Sequence, residues 1–102
     1  MAVSTINRAT QLRSIKQITA NSSVQITVPA NYRAIWVVIG TSNTMGLWLV
    51  NSTSGAVATI YQVGSQSSIS ASASGNIVTI SNSSANANPT LYANEFAGAA
   101  TA

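Results

Sequence analysis

Ala34-Ile35-Trp36-Val37-Val38-Ile39, followed after a short polar break by Leu47-Trp48-Leu49-Val50, are the segments from which the fold is read. Neither is long enough for a helix to bury, and both are rich in the β-branched and aromatic residues that suit a pleated strand. Successive side chains of a strand point to opposite faces. Ile35, Val37 and Ile39 therefore share one face, and Ala34, Trp36 and Val38 share the other. Leu47 and Leu49 oppose Trp48 and Val50 in the same way. An antiparallel hairpin with Val38 opposite Trp48 and Trp36 opposite Val50 makes the two tryptophans diagonal neighbours. Both faces of this hairpin are then apolar, although an antiparallel sheet commonly leaves one face wet. Trp36, Val38, Trp48 and Val50 are the candidate subunit interface or second buried face. Either a loop or the N-terminal arm covers them, or a neighbouring subunit does.

Outward from this hairpin the pattern repeats: short apolar runs separated by turn-forming clusters. Val24, Ile26 and Val28 alternate cleanly with Gln25 and Thr27. Asn21-Ser22-Ser23 precedes that run and Pro29-Ala30-Asn31 ends it, since proline cannot donate to a ladder. Further strands are predicted over 12–19, 32–39, 47–50, 56–63, 67–73, 77–80 and 90–93, with Ser74-Gly75-Asn76 as a tight turn. No stretch has a useful helical period, and no fixed repeat supports a β-solenoid, including one that would align threonines for binding ice. About eight short strands predict an all-β chain, an antiparallel β-sandwich of jelly-roll-like type. Residues 1–11 are read as an N-terminal arm, 12–96 as the sandwich and 97–102 as a flexible Ala/Gly/Thr tail.

The 102 residues suffice for one domain with a single core. Charged residues make up 5% of the chain, against the usual quarter. Ser, Thr, Asn and Ala fill more than half of it. Soluble monomers commonly carry charge that keeps them apart, so this composition suits a protein packed beside others. The net charge is +3, and Arg8, Arg13 and Lys16 form a candidate docking arm for an acidic protein surface.

The same scarcity excludes most chemistry. Histidine, cysteine and aspartate are absent, and Glu95 is the one acidic residue. One carboxylate cannot form a glycosidase pair, no serine has a histidine to activate it, and a Ser–Tyr–Lys arrangement built on Lys16 has no supporting motif. A metal would find at most one side-chain carboxylate, so no cofactor or metal is expected. The glycines are isolated turn residues and open no phosphate-binding helix. Four basic residues are too few for a nucleic-acid surface. The Asn-Xaa-Ser/Thr triplets at 21, 51 and 82 follow from a composition this rich in those residues. No apolar run is long enough for a membrane span or a signal peptide. An enzyme is not expected.

Three segments carry a resemblance: residues 18–33, Ile-Thr-Ala-Asn-Ser-Ser-Val-Gln-Ile-Thr-Val-Pro-Ala-Asn-Tyr-Arg; Gly46-Leu47-Trp48-Leu49-Val50; and Gly75-Asn76-Ile77-Val78-Thr79-Ile80-Ser81-Asn82. In style the chain, over about 12–96, resembles the small β-sandwich virion proteins of tailed bacteriophages, of the fibre-tip, attachment or capsid-decoration type. The resemblance implies a homo-oligomer, a trimer foremost, tethered to other virion proteins through the N-terminal arm and located on the capsid surface, neck or tail. The alternative reading is a carbohydrate-binding or adhesin module that recognises a cell-surface glycan, with Trp36, Trp48, Tyr32, Tyr61 and Tyr92 as its aromatics.

Overall fold

The computed structural model describes residues 12–102 apart from 42 and 66. The chain folds into eight strands: β1 (Arg13–Gln17), β2 (Ser22–Thr27), β3 (Arg33–Ile39), β4 (Gly46–Ser52), β5 (Ala58–Gln62), β6 (Ile69–Ser74), β7 (Ile77–Asn82) and β8 (Thr90–Ala97). They form two antiparallel sheets, one of five strands in the order β1-β8-β3-β4-β5 and one of three in the order β2-β7-β6. The all-β sandwich is as expected. Its β1–β8 and β2–β7 pairings follow jelly-roll wrapping, while β3, β4 and β5 run on as a meander within one sheet.

The core lies between the sheets. Trp36, Val38, Trp48, Val50, Leu91 and Ala93 of the larger sheet face Ile26, Val78, Ile80 and Ile69 of the smaller, all at most 2% exposed. The register of β3 against β4 differs by two residues from the sequence expectation. Trp36 lies opposite Trp48, Ala34 opposite Val50, and Val38 opposite Gly46. Gly46 is therefore a strand residue and not the end of the loop. The Trp48 indole lies over it, so that a Cβ at Gly46 would overlap the ring atoms Cη2, Cζ3 and Cζ2. Two tryptophans fit across one layer because the position beside them is empty. Gly46→Ala should push the Trp48 ring out of place and cost about 1–3 kcal/mol. A lower urea midpoint with red-shifted tryptophan emission checks this.

The sandwich ends are closed by polar staples. Asn82, buried opposite Ile69 and Ser22, donates to the carbonyls of Ile18 (3.1 Å) and Ala87 (2.9 Å) and accepts from the Ser84 amide (2.9 Å). It ties the β1–β2 connection to the β7–β8 loop, as the Ile18 amide does by donating to the Pro89 carbonyl (2.7 Å). Among the turns, Asn21 and Asn31 take positive φ (55° and 59°), which asparagine tolerates better than most residues.

The expected flexible tail is instead docked. Gly98, with φ 80°, reverses the chain after β8, Ala100 is 1% exposed, and Thr101 pairs with Thr27 through bonds of 2.7 and 2.9 Å. A glycine is required at 98 by its φ and by the closeness of Pro29 and Tyr32. Residues 1–11, read as an arm, lie outside the described residues.

Candidate interaction surface

Two apolar faces of the β3–β4 hairpin compete for the core, and the bulkier one is inside. Trp36, Val38, Trp48 and Val50 are 0%, 0%, 1% and 2% exposed, packed against the smaller sheet. They are buried, as one of the two readings had it, but as the sandwich interior itself, which corrects their reading as a subunit interface. Indoles fill a gap of about 10 Å between sheets better than short aliphatics do.

The aliphatic face points outward. Ile35 pairs with Leu49 and with Asn94, and Val37 with Leu47 and Tyr92. Leu49 pairs in turn with Tyr61 of β5. Ile35, Val37, Leu47 and Tyr92 are half-buried by their neighbours alone. Ile39 (59% exposed), Leu49 (47%) and Tyr61 (58%) stand in solvent. Five strands of up to eight residues give a face of roughly 500 Å² at standard strand spacing and rise. Its apolar part is Ile35, Val37, Ile39, Leu47, Leu49, Tyr61 and Tyr92, while Arg33, Asn51, Thr59, Thr90 and Asn94 share the same face; an exposed apolar patch is often functional. Each large side chain left in water forgoes about 1.5–3 kcal/mol of burial when it is fully exposed. The outer face of the smaller sheet contrasts with it, being Ser23, Gln25, Thr27, Ser70, Ser72, Ser74, Thr79 and Ser81, with Ile77 its one large apolar residue.

The charges cluster at the other end of the larger sheet. Glu95 of β8 receives the Arg13 guanidinium (Nε 2.8 Å, Nη2 2.9 Å), the Tyr32 hydroxyl and the Ala100 amide (2.8 Å). Arg13 also donates to the Ala100 carbonyl at 2.8 Å. The Tyr32 hydroxyl accepts from Trp36 Nε1 at 3.0 Å, with the two rings edge to face, 6.3 Å apart. One carboxylate thus joins β1, β3, β8 and the C-terminal segment to the core. Burial pushes the Glu95 carboxyl up, but the hydrogen bonds from Arg13, Tyr32 and Ala100 outweigh it and hold the group below its ordinary value. Burial, then the bond to Glu95, pushes the Tyr32 hydroxyl well above its ordinary range.

Of the candidate docking arm, Arg13 is therefore committed to Glu95 within the domain, Lys16 is exposed on β1, and Arg8 lies outside the described residues. The expected aromatic platform is also dispersed. Tyr32, Trp36 and Trp48 are buried, and Tyr61 and Tyr92 lie on β5 and β8, with β3 and β4 between them, about 14 Å apart across the strands. No single sugar ring spans both. Among the described residues there is no pocket and no group of three metal-ligating side chains, and no helix is long and apolar enough to cross a membrane. Comparison with known protein families, with curated proteins and with solved structures finds no match.

Proposed function

We propose that this chain is a non-enzymatic structural protein of a bacteriophage virion, a homo-oligomeric β-sandwich that decorates the particle or forms a short fibre or attachment domain. The observation that carries the reading is the outer face of the larger sheet, where Ile35, Val37, Ile39, Leu47 and Leu49 form an apolar surface, with Arg33 at the start of β3 as the charged side chain on that face. A protein whose surface is poor in charge and which exposes a broad apolar sheet face is suited to packing against like surfaces. Lys16, exposed on β1, and Arg8, which precedes it in the sequence, support attachment to other virion proteins.

Mass spectrometry of purified particles that encode the chain tests this reading. Its presence in many copies per particle, retained through a density gradient, is the expected result. Its absence from the particles, with the protein abundant in the lysate, overturns the proposal.

A further inference from the structure

We infer that two copies of this chain join edge to edge through β5, extending the five-stranded sheet into a continuous ten-stranded one across a two-fold axis. The inference rests on the proposed function only for the expectation of self-association; the choice of edge comes from the four edge strands themselves.

A sheet edge presents unpaired backbone groups, and proteins that must not aggregate blunt such edges with charge, proline, bulges or cover. β1 is blunted twice, by Arg13 and Lys16 and by an irregularity between Ser14 and Lys16. β2 is closed at its end by the Thr27–Thr101 bridge. β6 is open, but beyond Ile69 it carries only serine and alanine, which offer little apolar surface to bury. β5 has no charge, no proline and no irregularity against β4. It also carries exposed apolar side chains: Tyr61 at 58%, with Val57 (52%) and Val63 (48%) just beyond its ends.

The backbone of β5 is aimed for pairing. The Val63 amide donates to the Leu47 carbonyl of β4 at 2.9 Å. Because hydrogen-bonding direction alternates along a strand, the N–H and C=O of Tyr61 and Thr59 face β4 as well. Those of Ile60 and Gln62 face away, and among the described residues they have no partner there. The next group in that series, the Ala58 amide, is capped by the Gly75 carbonyl at 2.7 Å, so the free stretch is short and bounded.

The occupant that fits is a second β5. Set antiparallel about an axis at Tyr61, Ile60 of each copy exchanges N–H and C=O with Gln62 of the other, and the two Tyr61 side chains meet on the outer face beside Leu49. Such a contact is self-complementary, as a two-fold interface must be. Neither β4 nor β5 contributes a charge to oppose it. The pairing also merges the two aliphatic outer faces into one larger surface, available to further copies.

Hydrogen exchange of the full chain, read with Gln62→Pro and Tyr61→Lys, tests the inference. Gln62 is exposed and its N–H faces away from β4, so proline there breaks no backbone bond of the monomer and removes only the exposed side-chain bond to the Gly64 carbonyl; Tyr61→Lys places a charge at the axis. The Ile60 amide of the wild type should exchange about tenfold or more slowly in concentrated than in dilute protein. Both variants should lose that dependence while keeping the wild-type far-ultraviolet circular dichroism. Oxidised Tyr61→Cys, in a chain otherwise free of cysteine, should run as a disulfide dimer. An Ile60 amide that exchanges equally at all concentrations, or folded variants that associate as the wild type does, would overturn the inference. Particles that contain the chain with Ile60 unprotected would sink β5 pairing alone, whereas β5 dimers absent from particles would sink the virion reading alone.

Discussion

Trp36→Ala is expected to destabilise the domain by about 3–5 kcal/mol, the usual range for truncating a buried tryptophan. A domain of this size has only about 5–15 kcal/mol in total, so the variant should be partly unfolded on warming. Trp36 is fully buried between the sheets and opposite Trp48, so neither sheet can close the void by a small shift. Its ring also meets Tyr32 edge to face, and its Nε1 donates to the Tyr32 hydroxyl. Trp36→Phe separates these contributions. It keeps most of the ring volume and leaves the Tyr32 hydroxyl still donating to Glu95, so it should cost markedly less than the alanine variant. Urea unfolding followed by circular dichroism reads both. Equal losses for Phe and Ala would mean that the hydrogen bond, and not packing, is the larger part. A loss below 1 kcal/mol for Ala would place Trp36 outside the core.

Glu95→Gln should cost about 2–3 kcal/mol at neutral pH, and the loss should vanish in acid. The estimate rests on weakening the charge-assisted bonds from Tyr32 and from the Ala100 amide, each typically about 1.5–3 kcal/mol. The share of Arg13 is smaller, because that side chain is 46% exposed and its ion pair is screened. The pH dependence follows from the direction of the shift. The Glu95 carboxyl is held below its ordinary value when folded, so the unfolded chain binds the proton more tightly. The stabilisation is then fully present above the unfolded value of about 4.3 and is lost as pH falls through the lower folded value. Wild type should lose stability in that window and converge on the variant. Glu95→Gln should be nearly flat through it, since no other acidic side chain exists in the chain. Denaturant midpoints measured at several pH values between neutral and strongly acid check both claims; a wild-type midpoint that stays constant in acid would contradict them.

The strand pattern was readable because the turns are punctuated by residues with distinct local preferences. Asn21, Pro29-Ala30-Asn31, Ser54-Gly55 and Gly75-Asn76 each stop a run of β-formers, and each falls between observed strands. Which face of β3 and β4 lies inside was not readable, because alternation separates two faces without ranking them when both are apolar. Register failed for a related reason. Gly46 has no side chain to signal a strand, and only its three-dimensional relation to the Trp48 ring gives it a role. The expected surface therefore fell on the tryptophans, while the exposed apolar face is the aliphatic one.

The Glu95 cluster was legible only as a coincidence of composition. A single carboxylate in a chain with four basic residues will find one of them, but Arg13 is 82 positions away and Tyr32 is 63. Nothing local marks the pairing; the β1–β8–β3 order brings the three together. The docked tail escaped notice because Gly98-Ala99-Ala100-Thr101 carries no alternation. Its order comes from a backbone bridge to Thr27 and from one buried methyl group, neither of which has a sequence signature.

The most direct test of the central claim, that this domain is built to associate with copies of itself, is the mass of the purified chain by light scattering during size exclusion. The account predicts a particle of at least twice the single-chain mass, unchanged in moderate salt because the contacts are uncharged. A particle of single-chain mass at every concentration up to the solubility limit would contradict it.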